Sequence, residues 1–454
     1  MRLEIRRATV IAAGLALIVA ACGGGTSPPT PRPASPPPAG SAAPPSAAPG
    51  EPVEITLLAG IAEDPEIEQK LNEQIDEFNS THPTVRVKRE ALDNDQLRTI
   101  IQTRLSSGAV DVFGYDTGPG FGGVLARAGL LYDLGPAYEK YGWKIFDWAK
   151  ARCTYRGVVS CVPGQVEELG IFYNKDLFEE RGFTEPTTLE ELERIADAFK
   201  AEGIIPLAFG NQPQWPAGHQ FSMTLSNIVG RAGLDERLYG DGHWNDADTV
   251  KAIEIFFVRF RDKGYFPPDP NAVTYEDANA LFYAGKAAMV PTGTWLVAEI
   301  TDNAPFEVGF FPFPSIDGSS ISPPAGLGGG LFVNRHSRNP EAALEFLNWL
   351  NQDDVIRKWS LETFSTIPAQ PIDTSGLNVS PLFQLVLDDL AQTSGETADF
   401  GYNIDVLTPQ RFNEQMFTGF QEVLNGTLSP QEQADKLEEA YQAAKAAGET
   451  LERP

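Results

Sequence analysis

The sequence predicts an α/β fold in which strands alternate with covering helices. Two stretches carry that expectation. Between residues 53 and 115 the order strand, helix, strand, helix, strand appears, the pattern of a parallel sheet whose crossovers are helical. From residue 169 a second strand–helix series begins. A chain of 454 residues is long enough for two or three domains.

Taken in order, VEITLLAG at 53–60 is a short apolar strand. EIEQKLNEQIDEFN at 66–79 is a helix with Ile67, Leu71, Ile75 and Phe78 on one face. PTVRVKREAL at 83–92 alternates Val85 and Val87 as a strand, and the helix near 94–107 carries Leu97, Ile100, Ile101 and Leu105. AVDVFGY at 109–115 is the third strand. GPGFGG at 118–123 lacks the spacing and the lysine of a phosphate loop and reads as a turn. LGIFYN at 169–174 is a strand, and in the helix that follows Thr187 and Glu190 read as a capping box, with Gly203 past its end. IIPLAFG at 204–210 is strand-like, and 250–264 is an amphipathic helix turning Val250, Ile253 and Phe260 inward. Residues 286–293 and 306–314 return to the sheet. Pro340 opens a helix over 340–352 that buries Ala343, Phe346, Leu347 and Leu350. Helices near 409–425 and 430–447 close the chain.

Composition excludes several classes of function. Lys+Arg number 35 against 62 Asp+Glu, a net charge of -27, so no basic face for nucleic acid is expected. Retention on anionic lipid by surface charge is equally disfavoured. Hydrophobic residues at 42% separate the chain from disordered acidic tails. There is no GxSxG, no HExxH and no His/Cys cluster, so neither a catalytic centre, a metal nor a cofactor is expected.

The first fifty residues differ from the rest. Arg2, Arg6 and Arg7 precede a 12-residue apolar run ending in small residues. As a helix it would rise about 18 Å, too short for a hydrocarbon core of about 30 Å, and 1–21 reads as an export signal. Val19-Ala20-Ala21-Cys22-Gly23 resembles the lipobox of bacterial lipoproteins, with Val19 where leucine is preferred. That resemblance implies cleavage before Cys22 and acylation of its thiol, which would tether the chain to a membrane. Residues 22–52 then form the anchor cysteine and a Pro/Gly/Ser linker. In an exported chain the remaining pair, Cys153 and Cys161, eight apart, is expected to form a disulfide rather than two buried thiols.

Five segments carry a wider resemblance: SSGAVDVFGYDTG (106–118), ARAGLLYDL (126–134), ELGIFYNKDLFEERGFTEPTTLEELERIADAFK (168–200), YEDANALFYAGKAAMVPTGTW (275–295) and GGGLFVNRHSRNPEAALEFLNWL (328–350). With these the sequence resembles the extracellular solute-binding proteins of bacterial ABC importers, in particular the sugar-binding family that serves carbohydrate permeases. The resemblance implies a periplasmic-binding-protein-like fold, two α/β lobes with discontinuous domains and a hinged interlobe cleft. It places 53–162 and 288–335 in the N-terminal lobe and 167–285 and 336–450 in the C-terminal lobe. It also implies a lipid-anchored component on the outer face of the cytoplasmic membrane. Such a protein captures a neutral mono- or oligosaccharide and delivers it to permease subunits without being an enzyme. Cys161-Val162-Pro163-Gly164 departs from the family, where an aromatic more often precedes the proline.

A sugar is an apolar face edged with hydroxyls, so it calls for an aromatic platform and polar groups at the rim. Trp295, directly after Gly293-Thr294 at a strand end, is the first candidate platform. Trp215 in GNQPQWPAGH and Trp244 in GDGHWND follow, core packing being the alternative for each. Asp116 is a rim acceptor or a helix cap, and either Glu167 or Glu168 faces the cleft. His219 near Trp215, and Tyr402 with Asp405 in FGYNID, complete the set, whereas Glu63 and Asp64 suit helix capping at least as well. Two other readings compete: an extracytoplasmic glycoside hydrolase, and a sugar sensor that serves no permease.

Overall fold

The chain crosses three times between two sheets, and the crossings lie side by side. The computed structural model describes residues 51–62, 64–316, 318, 321–393 and 401–451. The export signal at 1–21, Cys22, the linker up to residue 50 and Glu63 lie outside the described residues.

The first sheet runs in the order Val85–Leu92, Val53–Gly60, Val112–Asp116, Gly329–Val333, Cys161–Pro163. Its first three strands are parallel, as the βαβαβ reading predicts, with Val53 to Gly60 registered on Val85 to Leu92. Gly329–Val333 then adds antiparallel to Val112–Asp116. The helix Pro65–Thr81 is started by Asp64, whose side chain accepts from the Glu66 and Ile67 amides, and it buries Ile75 and Phe78 against this sheet's core. Asp64 is thus a helix cap, the role its position favours.

The second sheet runs Gly401–Tyr402, Pro324–Leu327, Gln165–Asn174, Ala287–Gly293, Ile205–Leu207. Gln165–Asn174 is its spine, pairing also with Val308–Phe311 and Ile367–Pro368. It is almost wholly buried, which explains its continuous apolar run Leu169–Tyr173. Asn174 caps the next helix by accepting from the Leu177 amide. The capping box in the following segment is one residue later than expected. Thr188 and Glu191 form it, because the Thr188 side chain bonds the Glu191 amide while Glu191 reaches back.

Strand pairing divides the chain differently from the expected lobes. Ala287–Gly293, Val308–Phe311 and Pro324–Leu327 all pair with Gln165–Asn174, so these strands belong with the second sheet. The helix Pro340–Leu350 packs Phe346 and Leu347 onto the first sheet with Val87 and Val333, not onto the second. The strand Ala287–Gly293 is buried at every position and the helix is amphipathic, and in both cases only long-range packing assigns a side.

The three crossings are Pro163 to Gln165, Leu327 to Gly329, and Phe364 to Ile367. They meet at Val166, which is paired with Leu327 on one side and Ile367 on the other, while Pro163 is paired with Gly330. Cys153 and Cys161 are joined as a disulfide with Cα atoms 5.1 Å apart, as expected, fastening the strand Cys161–Pro163 just before the first crossing.

GPGFGG is a turn, and it forms a seam between the two sides. Gly118 has φ +86, and a Cβ there would lie 1.9 Å from the Val406 carbonyl oxygen. A Cβ on Gly120 would lie 2.8 Å from the Thr408 carbonyl oxygen. Backbone therefore packs on backbone here, which only glycine allows.

Candidate functional site

Next to that seam a cavity of about 560 Å³ opens between the two sheets. Its second-sheet wall is aromatic. Trp215 is the first residue of the helix Trp215–Tyr239, and His219 follows one turn later on the same face. Tyr275 opens the helix Tyr275–Tyr283. Trp295 lies in the short turn Thr294–Leu296 that follows the strand Ala287–Gly293. Ring centroids lie 4.6 Å apart for Trp215 and Tyr275, 5.0 Å for Trp215 and His219, and 5.1 Å for His219 and Trp295. The Trp295 indole N–H donates to Tyr275 Oη at 3.0 Å, and Tyr275 Oη lies 2.7 Å from Thr292 Oγ1.

Glycine makes this platform possible. A Cβ at Gly293 would stand 1.8 Å from the Trp295 ring, so the indole lies flat over the strand end because residue 293 has no side chain. Trp295 and Trp215 are both half-buried, with ring surface left to the cavity.

The opposite wall is polar. Arg98 from the helix Asn94–Ser106 donates to Asp116 Oδ2 at 2.8 Å, across the C-terminal ends of the parallel strands. Asp116 is thus held by a cation rather than acting as a helix cap. Burial alone would lower the Arg98 pKa, yet the Asp116 carboxylate raises it above its usual value. Asn94 and Gln165 add amides, and Asn403 and Asp405 close the rim from the second side. His219 Nε2 lies 3.6 Å from Asp405 Oδ2.

The floor is the crossing itself. Glu167 lines the cavity and Glu168 does not, because neighbouring strand residues face opposite sides. Gly328 makes room for the Glu167 carboxylate, which a Cβ would approach to 2.3 Å. Burial, opposed by the bond from Gln165 Nε2 at 2.8 Å and reinforced by Asp116 and Asp405, pushes the Glu167 carboxyl up to about 7. Glu168 is buried on the other side, where burial and then Asp389 hold it well above the usual carboxylate range.

Six of the expected residues therefore meet in the cavity: Trp295, Trp215, Asp116, Glu167, His219 and Asp405. Three do not. Glu168 is excluded by strand alternation. Trp244 is fully buried against Phe412 and Tyr441, and Glu438 accepts from its backbone N–H at 2.7 Å. Tyr402 sits in the strand Gly401–Tyr402, donates to Asp235 at 2.9 Å, and faces away while Asn403 and Asp405 face the cavity. Arg98, Tyr275, Asn94 and Gln165 were not anticipated. Tyr275 begins an apolar helix, and Arg98 reads as a solvent-facing helix position.

A second cavity of about 510 Å³ shares Arg98, Asp116, Gln165, Glu167 and Gly329 with the first and extends it along the first sheet. Among the described residues no group of three or more His, Cys, Asp or Glu is placed to hold a metal ion.

Residues 63–355 match the family described as "Bacterial extracellular solute-binding protein". The Multiple sugar-binding protein of Streptococcus mutans is 25% identical over 339 residues, covering 71% of this chain and 78% of that protein. The maltodextrin-binding protein MdxE of Bacillus subtilis is 27% identical over 240 residues, 51% of this chain and 54% of its own length. Among solved structures, a chitin oligosaccharide binding protein superposes with a TM-score of 0.77 at 22% identity, covering 87% of this chain and all of the other. The solute receptor AcbH gives 0.75 at 20% identity, covering 87% of this chain and 99% of the other.

The raised Glu167 pKa has a testable sign. The folded chain retains a proton at Glu167 between about 4.5 and about 7 that the unfolded chain has lost. Its contribution to stability is complete below that window and is lost as pH rises through it. Glu167→Gln removes that loss, so urea midpoints of the variant should gain on the wild type steadily from about pH 5 to about pH 7.5. A difference between the two that does not vary with pH contradicts the assignment.

Proposed function

The chain belongs to the bacterial extracellular solute-binding protein family, and we propose that it is the sugar-capturing component of an ABC importer. It binds a neutral carbohydrate in the interlobe cleft and hands it to membrane permease subunits, without chemistry on the cargo. The observation that carries this reading is the facing of an aromatic wall, Trp215, Tyr275 and Trp295, by Arg98, Asp116 and Glu167 across the cavity. The rings suit the apolar face of a pyranose, and the carboxylates and amides suit its hydroxyls.

Among the described residues of the cavity's lining, Asp64, Asp116 and Asp405 face one arginine, Arg98, which disfavours an anionic solute. The continuation into the neighbouring cavity favours more than one sugar ring. Relatives whose names state maltodextrin or chitin oligosaccharide binding agree with that direction.

A panel of mono- and oligosaccharides tested by thermal shift should contain at least one that raises the melting temperature. Trp295→Ala should weaken that sugar by about 2 kcal/mol, roughly thirty-fold in Kd. A panel without any shift, or a Trp295→Ala chain that binds as tightly as wild type, would sink the reading.

The lipobox-like Val19-Ala20-Ala21-Cys22 supports anchoring of this protein to the outer face of the cytoplasmic membrane through lipid on Cys22. Expressed in a bacterium, the wild type should incorporate labelled palmitate and stay with membranes, and Cys22→Ser should do neither. Equal labelling of the two would remove the anchor.

A further inference from the structure

A further cavity of about 980 Å³ lies across the glycine seam from the cleft. Its position follows from alternating residues along two segments. On one, Asp116 lines the cleft while Pro119 and Gly123 line this second cavity. On the other, Asn403 and Asp405 line the cleft while Tyr402 lines the second cavity. Between them Gly118 and Gly120 press on Val406 and Thr408. Residues of both sides wall the space, from 119–160 and Arg335 on one and from Arg231, Tyr402 and 448–451 on the other.

The lining reverses the charge of the molecule. The chain as a whole has 35 Lys+Arg against 62 Asp+Glu. Here, among the described residues, Arg127, Lys150, Arg152, Arg156, Arg231 and Arg335 share the lining with two carboxylates, Asp147 and Glu449. Glu449 is already held by Arg411, at 2.9 and 3.0 Å. Arg231 lies 4.0 Å from Asp235, but no ion pair joins Arg127, Arg152, Arg156 or Arg335 to a carboxylate among the described residues. Arg152 and Arg231, from opposite walls, each stand 5.1 Å from the Tyr402 ring centroid. Burial and then the charge of Arg156 hold Arg127 below its usual value, against the pull of Glu449.

Concentrated like charge is costly unless something neutralises it. Five of the six cations are arginines, whose planar fork matches phosphate oxygens and never loses its charge. We propose that this arginine-lined cavity is a second binding site, for a compact group bearing two or more phosphate charges. Such a group reaches an exported protein either as a free polyphosphate or as the headgroup of an anionic lipid. The site is separate from the sugar cleft and stands whether or not the cleft binds sugar.

The test titrates the full chain with sodium tripolyphosphate by calorimetry in low-salt buffer. Saturable binding is expected, with Arg127→Ser/Arg156→Ser weakening it about tenfold or more. Lys140→Ser/Lys436→Ser, which removes two charges from the exposed surface elsewhere, should leave it unchanged. Melting curves of both double variants show whether they fold, and Arg335→Ser serves as an independent third variant. No saturable binding by the wild type overturns the proposal, as does equal weakening by the surface pair. Sedimentation of the Cys22→Ser chain with vesicles containing cardiolipin, whose headgroup carries two phosphates, with phosphatidylcholine vesicles as control, then separates the sources. Retention competed away by tripolyphosphate assigns the lipid headgroup, and tripolyphosphate binding without retention assigns a soluble phosphate.

Discussion

Three adjacent strand crossings, hydrogen-bonded about Val166, are the constraint on which the rest of the molecule depends. Val166 is paired with both Leu327 and Ile367, so the two sheets are tied at one line rather than over a broad face. The same ladder sets the alternation that sends Glu167 to the cleft and Glu168 into the second sheet's interior. Cleft floor and lobe connection are one piece of backbone. Gly328, at the second crossing, gives the Glu167 carboxylate its room.

The seam beside the crossings divides two environments of opposite character. On one side carboxylates and aromatic rings face each other across a space with a single arginine. On the other, six cations line one cavity, two of them against the Tyr402 ring. An acidic chain that leaves so many arginines together is spending stability on that arrangement, and the net charge of -27 makes the contrast sharper. Neutral and anionic ligands would be sorted between the two spaces by charge alone.

Much of this was legible locally. The parallel start of the first sheet follows from strand–helix alternation, and the Cys153–Cys161 pairing from an even count in an exported context. Trp295 and Trp215 stand at element ends, where a ring is free to face a cavity, and Asp116 ends a parallel strand. What was not legible depends on distant partners. Nothing near residue 288 announces that its strand joins Gln165–Asn174, and nothing near Trp244 announces Glu438. Tyr402 is one residue from the cleft-lining Asn403, and only sheet pairing tells which way each points. Gly293 and Gly328 were the available signals for the two cleft residues beside them, since each lacks the one atom that would collide.

Two sheets joined along one line should close over a carbohydrate held between them. X-ray scattering from the Cys22→Ser chain, alone and saturated with the sugar that most raises its melting temperature, tests that closure directly. A smaller radius of gyration is expected in the saturated sample, because rotation about the crossings brings the Trp295 wall toward Arg98 and Asp116. An unchanged radius of gyration with the sugar demonstrably bound would contradict it.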